Sequence, residues 1–150
     1  MRTPSFILAG RPERFLALLV DNIILLVPAA LINKLLGGGQ AAIMANFLCN
    51  LAYFAAFTGG PWQATPGQHI LSIRVVHTNG RPLHLRDAIM RYLAYVIPVL
   101  PLYTSLLNDH AAMTLSIWLC FAWFAPILLR EDRAGMHDQL CNMQVVAGRP

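Results

Sequence analysis

A chain of 150 residues that is 57% hydrophobic and 12% charged, with a mean hydropathy of +0.54, lacks the polar side chains needed to cover a soluble globule. Its three cysteines show no paired spacing, which argues against both a disulfide framework and a zinc site, and Cys49 and Cys120 fall inside apolar runs as small packing residues. The net charge of +4 would suit nucleic acid as well as a membrane surface, so the positions of the charges must decide between them.

Four apolar runs follow in chain order, at residues 15–36, 41–58, 92–107 and 112–129. The first, second and fourth approach the ~20 residues that a helix needs to cross a hydrocarbon core. The third is shorter and contains Pro98 and Pro101, which predict a kink. It borrows length from an amphipathic stretch at 85–91. Gly37-Gly38-Gly39-Gln40 and Asn108-Asp109-His110-Ala111 are predicted to be tight hairpin turns. Arg2 ahead of an apolar run imitates a signal peptide. The run is longer than the ~7–15 apolar residues of such a peptide and carries Asp21 and Asn22, so it is expected to stay in the mature protein.

The basic residues are segregated. Arg2, Arg11 and Arg14 precede the first run; Arg74, Arg81, Arg86 and Arg91 lie between the second and third; Arg130, Arg133 and Arg149 follow the fourth. Only Lys34 sits toward the other side. Loops rich in Lys and Arg stay cytoplasmic, which predicts a four-helix, multi-pass membrane protein with both termini and the central loop in the cytoplasm. The charge excess is then topology and attraction to anionic lipid headgroups, and nucleic-acid binding is not needed.

The central segment has its own organisation. Residues 70–77 are rich in β-branched side chains, Asn79-Gly80 suits a type I′ turn, and 82–85 would return as a short second strand, giving a small cytoplasmic β-hairpin at about 69–85. Met143, Val145 and Val146 in the tail could add a third strand beside Arg74, Val75 and Val76. Leu85, Ala88, Ile89 and Tyr92 recur at helical spacing opposite Arg86, Asp87 and Arg91, which predicts an interfacial amphipathic helix leading into the membrane. The fold class is therefore all-α and membrane-bound, with a small hairpin, in a single domain over 1–150.

Four stretches together, RPERFLALLVDN, ATPGQHILSIRVVHTNGRPL, LRDAIMRYLAY and RAGMHDQLCNMQVV, resemble the RDD family of small bacterial membrane proteins over nearly the whole chain. The resemblance implies that Arg14 and Asp21 are the family arginine and first aspartate, with Asp138 as the other aspartate. Where such proteins show a lysine before the strand, this chain has Gln68, so a lysine role is absent. The resemblance also implies transport, including sodium/proton exchange reported for some members.

The first helix can be read without the family. Asp21 lies about 9 Å past Phe15, below the headgroups, where an ionised carboxylate costs at least about 2.5 kcal/mol unless it is protonated, paired, hydrated or bound to a cation. Arg14 shares its helix face but leans toward the headgroups, so lipid phosphate or a cytoplasmic carboxylate, Asp138 ahead of Glu13 and Asp87, is its expected partner. At the depth of Asp21 the second helix offers Asn50, with Asn46 one turn deeper and Asn22 adjoining. Asp21, Asn50, Asn46 and Asn22 form a candidate cation/proton site, since carboxylate and amide oxygens are hard ligands suited to sodium and a proton would compete for the carboxylate. The same asparagines would serve as interhelical hydrogen bonds alone.

His69, His77, His84, His137 and Cys141 gather near the cytoplasmic side without a ligand spacing, so no metal or other cofactor is expected. No nucleophile elbow, phosphate loop or His-Glu-x-x-His occurs, which argues against an enzyme. Ala41 with Ala45, Ala52 with Ala56 and Ala56 with Gly60 permit close helix contact, within the protomer or in a homo-oligomer. Two readings stand: a small secondary transporter exchanging sodium for protons through Asp21, and a non-transporting scaffold or accessory subunit that recruits a partner through its basic cytoplasmic face.

Overall fold

The computed structural model describes residues 7–103, 108–131 and 133–148. Arg2, Arg149 and the end of the third apolar run at 104–107 lie outside them. Three helices are long and apolar enough to cross a membrane: α1 (Arg11–Leu36), α2 (Gly39–Thr58) and α5 (Asp109–Leu129). Their apolar side chains point outward, Val27 and Leu35 each being 73% exposed and Trp118 69%. A helix that shows such residues to its surroundings needs a hydrocarbon solvent.

Glycines 37, 38 and 39 all take positive φ, so the chain reverses between α1 and α2 where a side chain would be strained. The second turn, expected at 108–111, does not lie there. Asn108 caps α5 by accepting from the Ala111 amide at 2.9 Å, and residues 109–111 are already helical.

The third run departs most from expectation. An amphipathic helix α4 (Leu85–Val96) leads into 3-10 turns at Ile97–Tyr103, because Pro98 and Pro101 cannot supply the amides of a continuous helix. Its α-helical part is too short to cross a bilayer alone.

The expected hairpin at 69–85 does not form. Strand β1 (Ile73–His77) instead pairs antiparallel with β2 (Met143–Ala147), Val75 lying opposite Val145. Residues 82–84 are loop and 85 starts α4. The tail strand wins because each strand is preceded by a short helix, α3 (Pro66–Ile70) or α6 (Met136–Leu140), that fixes its entry. Leu8 bridges to Val146 on the outer side of β2. The dry core lies in this sheet layer, around Ala9, Ala17, Ile73, Val75, Leu83, Met143 and Val145.

The second half repeats the first at a spacing of seventy residues. Helix α2 corresponds to α5, α3 to α6 and β1 to β2. Among the described residues, the four non-glycine residues with positive φ are two such pairs, Gln63 with Arg133 and Ser72 with Asn142. Across the sheet, Gly148 donates to the Ser72 carbonyl at 2.8 Å and Thr78 to the Asn142 carbonyl at 3.0 Å, the same bond made twice about a two-fold axis. In α1 and its counterpart, Arg11-Pro12 matches Arg81-Pro82, Pro28 matches Pro98 and Asp21 matches Arg91. The symmetry fails at one seam. Helix α2 packs closely on α4, with Phe54 stacked on Tyr92 at 5.5 Å, whereas α5 stands off from α1.

Candidate functional site

Asp21 is 2% exposed and sits beneath α3. Thr65 caps that short helix, accepting from the Gln68 amide while the Gln68 side chain accepts from the Thr65 amide, and Pro66 presets the first turn. The capped end points at α1. Thr65 donates its hydroxyl to Asp21 Oδ2 at 2.5 Å, the Gly67 amide donates to Oδ1 at 2.8 Å, and the Tyr53 hydroxyl from α2 donates to the same oxygen at 2.8 Å. Three donors from two other elements therefore hold one carboxylate. Gly67 is required by distance, since a Cβ there would lie 2.3 Å from the Ala17 carbonyl oxygen and 2.9 Å from the Asp21 carboxyl.

The equivalent position in the second half carries Arg91. Its guanidinium reaches Asp138 Oδ1 with Nε at 2.9 Å and Nη2 at 2.8 Å, while Arg14 holds Oδ2 at 2.5 Å. Arg14 also donates to the Arg133 carbonyl, and Arg133 to the Ala9 carbonyl at 3.1 Å. Burial would raise the pKa of Asp138, but Arg91, His137 and Arg14 outweigh it and hold this carboxyl far below the usual range. His137 Nε2 lies 3.3 Å from the same carboxylate. Burial nevertheless dominates there, and pushes the His137 ring down to about 4, so it is neutral at pH 7. Tyr95 and Phe124 pack edge-on against that ring.

The expected Arg14–Asp138 pair is present, and neither Glu13 nor Asp87 takes that place. Asp87 instead lies 3.2 Å from His77 Nε2 and 3.4 Å from Arg81.

The expected polar cluster does not form. Asn22 donates back to the Leu18 carbonyl at 2.8 Å, Asn46 donates to Asn33 at 3.2 Å, and Asn50 makes no hydrogen bond to Asp21. Helix phase selects Tyr53, less than one turn from Asn50, and α3 descends onto Asp21 from the loop. The sequence did contain a signal for this, the capping pattern Thr65-Pro66-Gly67-Gln68. Among the described residues, no group of three His, Cys, Asp or Glu is arranged to hold a metal ion.

Both carboxylates face or adjoin a cavity of about 770 Å³ between α1 and α5. The RDD family model matches residues 8–142. An uncharacterized protein of Bacillus subtilis (strain 168), YxaI, is 24% identical over 164 residues, covering 92% of this chain and 96% of that protein. No solved structure matches.

Proposed function

The chain belongs to the RDD family, and on that premise we propose that it is a four-pass inner-membrane scaffold whose buried charges clasp a basic cytoplasmic platform to the membrane helices. One observation carries this reading: both oxygens of Asp21 are taken by protein donors, and one of those donors is an amide that cannot ligate a cation. Asp138 is likewise occupied, by two arginines.

The fourth pass is α4 with its 3-10 continuation. Supporting it, the chain entering α1 meets the sheet through Leu8 on Val146, and the neighbouring helix ends meet one another, the end of α2 and the start of α4 at Gly59 against Leu85, and the start of α1 and the end of α5 at Arg11 on the Ile127 carbonyl. An even number of crossings returns both termini to that side. The described arginines lie in or beside that layer and Lys34 at the far end of α1, the bias that keeps such a layer cytoplasmic. Arg81 and Arg86 are exposed there for an acidic partner. Ala41, Ala52 and Ala56 are exposed on α2 and would serve self-association.

Sodium/proton exchange through Asp21 would require the carboxylate to release Tyr53, Thr65 and Gly67 and gather new oxygens, with Asn22 and Asn46 engaged elsewhere. Reconstituted protein in proteoliposomes decides between the two. The scaffold reading expects no sodium-driven proton flux above empty vesicles. Flux that Asp21→Asn abolishes would establish exchange instead.

A further inference from the structure

The two halves make one seam twice, and only one copy is closed. Helix α2 meets α4 through stacked aromatics, while the equivalent seam between α5 and α1 holds the cavity of about 770 Å³. That volume falls within the ~300–1,000 Å³ of ligand sites. The cavity has a direction. Its deeper wall is apolar, with Val99, Met113, Ile117 and Phe121, while Arg11, Arg14 and Arg91 stand toward the sheet layer. Phe15, Phe121 and Leu128 line it and remain 66–68% exposed, so the cavity opens on the girdle that lipid would cover.

Two features at the sheet end point to a polar occupant. Thr58 and His137 line the cavity, are 2% and 3% exposed, and bury Oγ1 and Nδ1 without a partner among the described residues. Ser116 orphans a third polar atom deeper along α5. An unsatisfied buried polar group costs about 1–3 kcal/mol, a penalty that an oxygen-rich ligand head would relieve. The charges are also unbalanced. Arg14 and Arg91 share Asp138, and Asp21 is held by neutral donors. Arg11 spends its Nε on the Ile127 carbonyl at 3.1 Å and forms no ion pair among the described residues. Three arginines against two carboxylates leave one positive charge.

We propose that this cavity binds one anionic phospholipid, its phosphate at Arg11, its headgroup hydroxyls toward Thr58 and His137, and an acyl chain along Ile117 and Phe121. The lipid completes the seam that α2 and α4 close with protein side chains. The site is independent of the scaffold reading, because retention of a lipid needs no cytoplasmic partner.

The test is native mass spectrometry of the full chain in detergent, titrated separately with phosphatidylglycerol, phosphatidylcholine and inorganic phosphate. The expected result is one retained phosphatidylglycerol, at least about tenfold preferred over phosphatidylcholine, with no retention of phosphate alone. Ser116→Trp and Ala125→Trp fill the cavity and should each remove the bound lipid, and Arg11→Gln should erase the preference for the anionic headgroup. Whichever filling variant keeps the wild-type melting temperature is the one read. Equal retention of the two lipids by the wild type, or a folded filling variant that keeps its lipid, overturns the proposal. Capture of phosphate alone overturns it too, since it would place the affinity in the arginines without the cavity.

Discussion

Asp21 and Arg91 occupy equivalent positions in the two halves, seventy residues apart, and with opposite charges each ties a helix to the short helix that launches a strand. Asp21 accepts from the capped end of α3, whereas Arg91 donates to a carboxylate carried by α6. Removing Arg91 leaves Asp138, fully buried, with Arg14 as its remaining arginine. Arg91→Ala should therefore destabilise by about 3–5 kcal/mol. Arg91→Lys should recover only part, because one ammonium cannot reproduce both contacts to Oδ1. Thermal unfolding in detergent measures both.

The donors on Asp21 differ in what else they do. Tyr53→Phe removes one hydrogen bond to a charged acceptor and should cost about 1.5–3 kcal/mol. Thr65→Val should cost more, since the same hydroxyl accepts from the Gln68 amide and caps α3. The order of the two losses in an unfolding assay is the checkable outcome.

Gly67 and Gly10 separate close backbone approach from mere crowding. An alanine Cβ at 67 meets the Ala17 carbonyl oxygen at 2.3 Å, and neither backbone can move without parting α3 from α1. Gly67→Ala should lose about 1–3 kcal/mol. At Gly10 the nearest atoms belong to the end of the Glu13 side chain, which can swing away, so Gly10→Ala should be nearly silent.

His137 gives the fold a pH dependence with a definite sign. Its folded pKa of about 4 lies below the ordinary 6.5, so its contribution is complete above pH 6.5 and is lost as pH falls toward 4. The loss should reach about 3 kcal/mol. Asp138 is also depressed, so its contribution persists through that window and fails only below its ordinary value of 3.8. Melting temperature against pH should fall between 6.5 and 4 in the wild type and flatten there in His137→Gln.

Much of this architecture was legible in the sequence because apolar run length and arginine placement act locally. The turn at 37–39, the break at Pro98 and Pro101 and the α4 amphipathic face follow from such signals, whereas the Arg14–Asp138 pair, 124 residues apart, was reached from the lean of Arg14 toward the headgroups and from the family resemblance. The hairpin at 69–85 was misread because Asn79-Gly80 supplies a turn but not a partner strand, while the tail strand expected beside Arg74, Val75 and Val76 forms as the sole partner of β1 among the described residues. The internal repeat leaves scattered identities, among them Arg11-Pro12 with Arg81-Pro82, Pro28 with Pro98, Phe54 with Phe124 and Val75-Val76 with Val145-Val146, most of them in apolar runs where they carry little signal, and it becomes plain only through matched backbone angles. The surroundings of Asp21 were missed for a related reason. Helix depth can be counted along α2, but α3 approaches from outside the helices.

The central claim is that Asp21 is a clasp filled by Tyr53, Thr65 and Gly67 and does not exchange ions. Amide hydrogen exchange across residues 65–72, for the wild type and Asp21→Asn in sodium and in choline chloride, tests it most directly. Protection that is strong in the wild type, indifferent to sodium and lost in Asp21→Asn is the predicted result; protection that rises with sodium, or that survives Asp21→Asn unchanged, would contradict it.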